Sequence, residues 1–459
     1  MSNSAVIPKV HKPGGLAEIL AMSVPMIVSN ACDTLMVFTD RLFLSRVGAE
    51  AMNAALGAGM TYFLLTTFFG GLVGYSTALV AQYFGANRKN FCSIAFTQAM
   101  IIVVVAFPTI LLARPLVHYY FNSVGLSPSQ LTLQLQYFNI ICYAALFSLT
   151  RSAFTGFFTG TGRTKVVMFA TVTALFVNVI ANYVLIFGKF GFPAMGVRGA
   201  ALGSVISVIC TTVIFLVVYL RKENRMTYQV VKSLRFAPQI MKKLLRYGSP
   251  TGFEFFLSVI AFNGIVMVFH SEGAVVATAI TIMFNWDLVA FLPLVGIEIS
   301  VMSLVGRYMG AQTPEVAKQA AYSGLKLGCI YCFMILLAFE ILPHTLVGMF
   351  ANDSDPLFAQ AAPIAVNMIR IAGVYVMANA FMLVFTGVLR GSGDTLWPMC
   401  AAISVNWLAL GATFFMLHVF GSSPLWAWFS FAALFLIYTF LYLWRFKKGK
   451  WQTMRIIEN

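Results

Sequence analysis

Twelve stretches of this chain are each apolar over about 18 residues or more, long enough to cross a bilayer as helices. They cover approximately residues 16–45, 52–83, 93–113, 134–160, 165–188, 197–220, 242–269, 276–307, 319–346, 360–390, 397–420 and 424–445. Lipid offers an open backbone no hydrogen-bond partner, so each run must close its own bonds within a helix. Several exceed the roughly 20 residues a crossing needs and are expected to tilt, bend or extend beyond the lipid. Only 10% of residues are charged and 60% are hydrophobic, whereas a soluble domain carries about a quarter charged residues. The reading is an all-α polytopic membrane protein.

The net charge of +15 belongs to short loops on one membrane side and argues for no nucleic-acid partner. Basic residues mark the N-terminus (Lys9, Lys12) and the even-numbered connections (Arg88 and Lys89, Arg163 and Lys165). They also mark the central stretch from Arg221 to Arg246 and the tail from Arg445 to Arg455, while the odd-numbered connection near Asp353 and Asp355 is acidic. Both termini are therefore expected in the cytoplasm of a multi-pass inner (plasma) membrane protein. No cleavable signal is expected, because the polar first fourteen residues lead straight into a spanning run. The seven cysteines lie mostly in apolar runs and form no disulfide framework, and the Cys329–Cys332 pair reads as small buried hydrophobes.

The chain repeats itself. Pro25, Gly48 and Gly85 correspond to Pro250, Gly273 and Gly310 at a constant shift of 225 residues, and AQYFGAN (81–87) matches GRYMGAQ (306–312). FFTGTGRTK (157–165) resembles VLRGSGDTL (388–396) at a shift of 231. Six spans plus six, both starting on the same side, make parallel repeats. The expected organisation is a tail 1–14, a first lobe 15–221, a linker 222–240, a second lobe 241–446 and a tail 447–459. Duplication together with intramembrane acids favours transport over a membrane-embedded enzyme or signalling protein. No GxxxxGK[ST], HExxH or GxSxG occurs, and GTGRTK (160–165) follows a membrane helix instead of a strand.

The motifs TDRLFLSRVGAEAMNAA (39–55), GGLVGYSTALVAQYFGAN (70–87), GFFTGTGRTK (156–165), NVIANYVLIFGKFGFPAMGVRGAALGSVIS (178–207), SLVGRYMGAQ (303–312) and GVLRGSGDTLWP (387–398) resemble the multidrug and toxic-compound extrusion (MATE) family. The resemblance covers nearly the whole chain. It implies twelve helices in two pseudo-symmetric six-helix lobes, a V-shaped pair enclosing a large cavity. It also implies an exporter of organic cations, drugs and other amphipathic compounds. Inward flow of protons or sodium would drive it with no bound cofactor, and the chain is expected to work as a monomer among membrane lipids.

A carboxylate at membrane depth can take a proton, bind sodium or pair with a cationic substrate. Asp40 stands where the family's first helix carries its aspartate, eight residues before Gly48; Arg41 projects about 100° away and is a poor partner. In the family's first-lobe ion site Asn178 and Asn182 match an asparagine and an acid, and Ser204 a frequent threonine. Asn182 departs from that pattern. Asp40, Asn178, Asn182 and Ser204 form an oxygen-rich set for the coupling ion, with Asp40, Asn178 and Asn182 as sodium ligands. The competing structural reading is amides bonding between helices. With one carboxylate fewer, the set points towards protons.

The substrate-cavity candidates are Asp33, Glu254, Asp287, Glu298, Asn379 and Trp286. Asp33 lies two turns before Asp40 on the same face. Glu254 sits one turn before the family's usual glutamate position, at Ser258. Asp287 neighbours Trp286, an aromatic suited to a cation. Asn379 stands where one branch has an aspartate. Arg151, Arg307, Arg370 and Arg390 are expected to snorkel or to pair with these acids. A lipid-linked precursor flippase of the same superfamily is the alternative within transport; it calls for further spans and cavity arginines, whereas the mid-span charges here lean acidic.

Overall fold

The computed structural model describes residues 12–350 and 356–458. Lys9, Asp353 and Asp355, used above to orient the chain, lie outside the described residues. Among the described residues the regular structure is helical, with no strand. The first half builds α1 (Leu16–Ser45), α2 (Ala49–Gly74), α3 (Ser76–Gly85), α4 (Lys89–Leu112), α5 (Arg114–Ser123), α6 (Pro128–Gly160), α7 (Thr164–Phe187) and α8 (Val197–Tyr219). A short α9 (Lys222–Thr227) leads to α10 (Pro238–His270), α11 (Ala274–Gly310), α12 (Pro314–Ile341), α13 (Pro343–Gly348), α14 (Pro356–Ser392), α15 (Leu396–Phe414) and α16 (Pro424–Lys447).

Among the described residues twelve helical segments are long and apolar enough to cross a membrane, one for each expected run. Some ends overshoot the apolar runs: the fourth spans Pro128–Gly160 instead of 134–160, and the third spans Lys89–Ser123 through a break between α4 and α5, whereas the first coincides at Leu16–Ser45. Hydropathy marks the apolar stretch of a helix, whereas capping chemistry decides where it starts. At α6, Pro128 occupies the first turn and Ser127 Oγ accepts from Gln130 N at 3.2 Å.

By their internal contacts the described residues form two compact units. One is Val24–Gly252; the other combines the chain up to Ser23 with Phe253–Glu458. The divide runs inside α1 and α10, beside Pro25 and Pro250, so each of these helices contributes its first turns to one unit and its remainder to the other. Proline removes an i→i−4 bond, which makes these points the natural places for a helix to change company.

The repeat is visible in the backbone. After α3, Asn87 adopts φ 58° and Arg88 N bonds Tyr83 O at 2.9 Å; after α11, Gln312 adopts φ 59° and Thr313 N bonds Tyr308 O at 2.9 Å. After α6, Gly162 (φ 78°) is followed by Arg163 N on Phe158 O at 2.7 Å, and after α14 Gly393 (φ 108°) by Asp394 N on Leu389 O at 2.8 Å. Both pairs of helix ends are left-handed caps of the same hydrogen-bond pattern, and the positions coincide at the sequence shifts of 225 and 231.

Small residues set helix separation inside each unit. A Cβ on Gly199 of α8 would come within 2.6 Å of the Leu185 carbonyl of α7, and one on Gly203 would collide with the Asn182 amide. A Cβ on Gly387 or Gly391 of α14 would come within 2.6 Å of the Glu298 or Met302 carbonyl of α11. Each is a small-xxx-small step that lets two backbones approach, and each brings polar side chains into contact.

Candidate ion and substrate sites

In the Val24–Gly252 unit the close approach of α7 and α8 presents Asn182 and Ser204 to α1. Asp40 is 8% exposed. Its Oδ1 accepts from Asn182 Nδ2 and its Oδ2 from Ser204 Oγ at 2.7 Å. Asn182 Nδ2 also reaches Asn178 Oδ1 at 3.2 Å, one turn below on α7. All four residues of the expected ion set therefore form one hydrogen-bonded cluster. No ion pair reaches Asp40 among the described residues, and Arg41 lies exposed. Asn182 Oδ1 is buried without a hydrogen-bond partner, an acceptor facing no donor. One carboxylate and neutral oxygens make a donor set compatible with a monovalent hard cation or a proton.

Asp33, two turns earlier on α1, is engaged differently. Arg151 of α6 grips it with both terminal nitrogens, Nη1 on Oδ1 at 2.7 Å and Nη2 on Oδ2 at 3.2 Å. This is a bidentate fork, and both side chains keep about a third of their surface open, 29% for Arg151 and 35% for Asp33. The shared helix face thus carries one acid with neutral donors and one with a guanidinium.

In the other unit, Gly387 and Gly391 seat α14 against α11, and Arg390 between them becomes the hub of a second cluster. Its Nη1 lies 2.6 Å from Glu298 Oε1 of α11, and its Nη2 lies 2.9 Å from Glu254 Oε1 of α10. Phe255 covers the guanidinium, 4.8 Å from ring centroid to Cζ. All three charged residues are buried, and Glu254 Oε2 has no hydrogen-bond partner among the described residues. With both glutamates ionised, the triad carries one net negative charge.

The remaining cavity candidates do not join that triad's hydrogen bonds. Asp287 accepts from Tyr375 Oη at 2.8 Å, and Trp286 donates its Nε1 to Leu346 O at 3.1 Å. Adjacent in sequence, the two project about 100° apart around α11 and serve different partners. Asn379 is buried, with Oδ1 lacking a partner. Among the arginines, Arg151 and Arg390 pair with acids as expected; Arg307 lies 3.9 Å from Glu18, and Arg370 is exposed. Sequence reasoning missed Tyr375, which lies 88 residues from Asp287 and carries no local signal. No cluster of three or more His, Cys, Asp or Glu suited to a metal occurs among the described residues, and all seven cysteines are free.

A duplicated twelve-helix bundle with acids and amides buried at span depth is the architecture of a secondary transporter. The MatE family profile matches residues 25–184 and again 250–415, two copies that begin at Pro25 and Pro250. The chain belongs to the MATE family: it is a multi-pass membrane transporter and not an enzyme. It is similar over almost its whole length to the probable multidrug resistance protein NorM of Thermotoga maritima, 26% identical over 464 residues, covering 99% of this chain and 97% of the relative. The multidrug resistance protein NorM of Burkholderia vietnamiensis is 26% identical and covers 89% of each chain. The fold matches a MOP superfamily transporter from Pyrococcus furiosus with TM-score 0.86 at 18% identity, covering 97% of this chain and 100% of that one. An outward-facing multidrug resistance MATE family transporter matches with TM-score 0.86 at the same identity and coverage.

Proposed function

We propose that the protein is a secondary antiporter of the cell (inner) membrane that exports cationic or amphipathic organic compounds in exchange for an inward-moving proton or sodium ion. The NorM relatives supply the substrate class through their names as multidrug resistance proteins. The coupling is carried by one observation: Asp40 is buried, held by Asn182 and Ser204, and meets no fixed cation. A buried carboxylate with neutral donors calls for a mobile positive charge. The lack of an acid at 182 favours the proton over sodium. Two lobes, 15–221 and 241–446, exposing the substrate alternately with both termini in the cytoplasm, complete the reading.

The test is efflux of a fluorescent organic cation from proteoliposomes under proton and sodium gradients imposed separately, with wild type and Asp40→Asn. Wild-type efflux under the proton gradient, and efflux about 100-fold lower from Asp40→Asn, is the expected result. Equal efflux by the two proteins would remove Asp40 from the coupling. Movement of no cation under either gradient would sink the antiporter reading.

A further inference from the structure

The connection from α8 to α10 is a folded strap. Asn224 is buried: its Nδ2 donates to Val218 O at 2.6 Å and its Oδ1 accepts from Arg163 Nη1 at 2.6 Å. The Tyr228 ring packs edge-on against Phe157, with centroids 5.1 Å apart. Gln98 of α4 closes the far end, donating to Arg235 O at 2.9 Å and accepting from Ala237 N at 3.1 Å.

With one side anchored, the other side holds an unusual mixture. Met226, Val231, Leu234 and Phe236 are 61–70% exposed. Exposed among them are Arg221, Lys222, Arg225, Lys232 and Arg235, against one acid, Glu223. Four large apolar side chains left uncovered by the protein on a segment this short would carry a hydration cost in water. The strap starts within two residues of the end of α8 and finishes within two of the start of α10, both long and apolar enough to cross a membrane, so both of its ends are tethered to candidate spans. Apolar side chains interleaved with cations there match a headgroup layer: hydrocarbon for the former, phosphates for the latter.

We propose that residues 221–236 bind the surface of an anionic phospholipid leaflet, apolar side chains in the acyl boundary and the five cations on lipid phosphates. The test uses the full-length protein in nanodiscs of equal phosphatidylglycerol and phosphatidylcholine, extracted mildly, with the retained lipids counted by native mass spectrometry. Wild type is expected to retain phosphatidylglycerol several-fold over phosphatidylcholine. The R221Q/K222Q/R225Q/K232Q/R235Q variant is expected to lose that preference, and the charge-conserving R221K/R225K/R235K variant to keep it. M226S/V231S/L234S/F236S is expected to retain fewer lipids of both kinds with the preference intact. Undiminished preference in the glutamine variant overturns the proposal. So does its loss in K447Q/K448Q/K450Q, which would assign it to the chain's total charge. Displacement of the lipid by millimolar inorganic phosphate also overturns it, since the strap would then be a site for free phosphate.

Discussion

The two units share a scaffold and differ in chemistry. Their helix-ending turns coincide at Asn87 and Gln312 and at Gly162 and Gly393. Yet the shift of 225 residues carries Asp40 to Ile265 and returns Glu254 to Ser29 and Glu298 to Val73, while the shift of 231 returns Arg390 to Thr159. Where the second unit has its charged triad, the first has neutral groups: Ser29 Oγ bonds Thr171 Oγ1 at 2.8 Å, and the Thr159 hydroxyl meets Met26 Sδ at 3.6 Å. The two copies share their helix-ending turns, and each holds its own buried charge. In one unit a carboxylate is held by neutral groups that cannot neutralise it, and on the proposed reading its counter-charge comes and goes. In the other a guanidinium is built in and offsets one of the two carboxylates it bridges.

That difference sets opposite expectations for removing a partner. Arg390→Met strands two buried carboxylates at once, so the cost expected is about 3–5 kcal/mol, read as a large fall in thermal stability in detergent. Adding Glu254→Gln and Glu298→Gln to the same chain is expected to restore most of it, because no uncompensated charge remains. If Arg390→Met melts with the wild type, the triad is not a structural ion pair. Asp40→Asn takes away a charge that has no fixed partner and is expected to leave the melting temperature close to that of wild type. Coupled transport, in contrast, is expected to fall about 100-fold, equivalent to nearly 3 kcal/mol. A variant that loses stability and transport together would erase the distinction between the units.

A smaller effect sharpens the reading of the Asp40 cluster itself. Asn182→Asp returns a second carboxylate beside Asp40 and Asn178. It is expected to tighten binding of sodium about tenfold, about 1.4 kcal/mol, measured with radiolabelled sodium on the purified protein. Unchanged sodium binding would mean that the cluster's oxygens do not converge on an ion.

How far these clusters could be read in advance depended on whether their logic was local. The spans were legible because lipid demands long apolar runs, and the repeat because the helix-ending turns need residues that tolerate positive φ at fixed positions. Asn178 and Asn182 were legible as a pair because four residues make one turn. Some helix ends were not, since capping and proline at Ser127 and Pro128 act outside the apolar pattern. Nor was the triad: Glu254, Glu298 and Arg390 come from three helices, and Glu298 reaches Arg390 where Gly387 and Gly391 let α14 approach α11 closely. Trp286 and Asp287 show the converse, since neighbours in a helical sequence do not share a face.

Asp33 stands between the two arrangements, and the last prediction turns on it. Like the triad it has a guanidinium, and like Asp40 it lies on α1; unlike either, it and its partner Arg151 are partly open. An ion pair at that exposure contributes about 1 kcal/mol or less, so Asp33→Asn is expected to change thermal stability little. Its effect is expected to fall on substrate instead. Without the carboxylate, Arg151 is left as a net positive charge, which is expected to raise KM for a monovalent organic cation a few-fold while leaving a neutral amphipathic substrate unaffected. Arg151→Gln exposes the acid and reverses the sign, lowering KM for the cation. If both variants shift cationic and neutral substrates equally, the pair acts through packing and the acid has no part in substrate charge. If only the cation responds, and in opposite directions, this stretch of α1 divides its labour: Asp33 reads the cargo two turns before Asp40 holds the coupling ion.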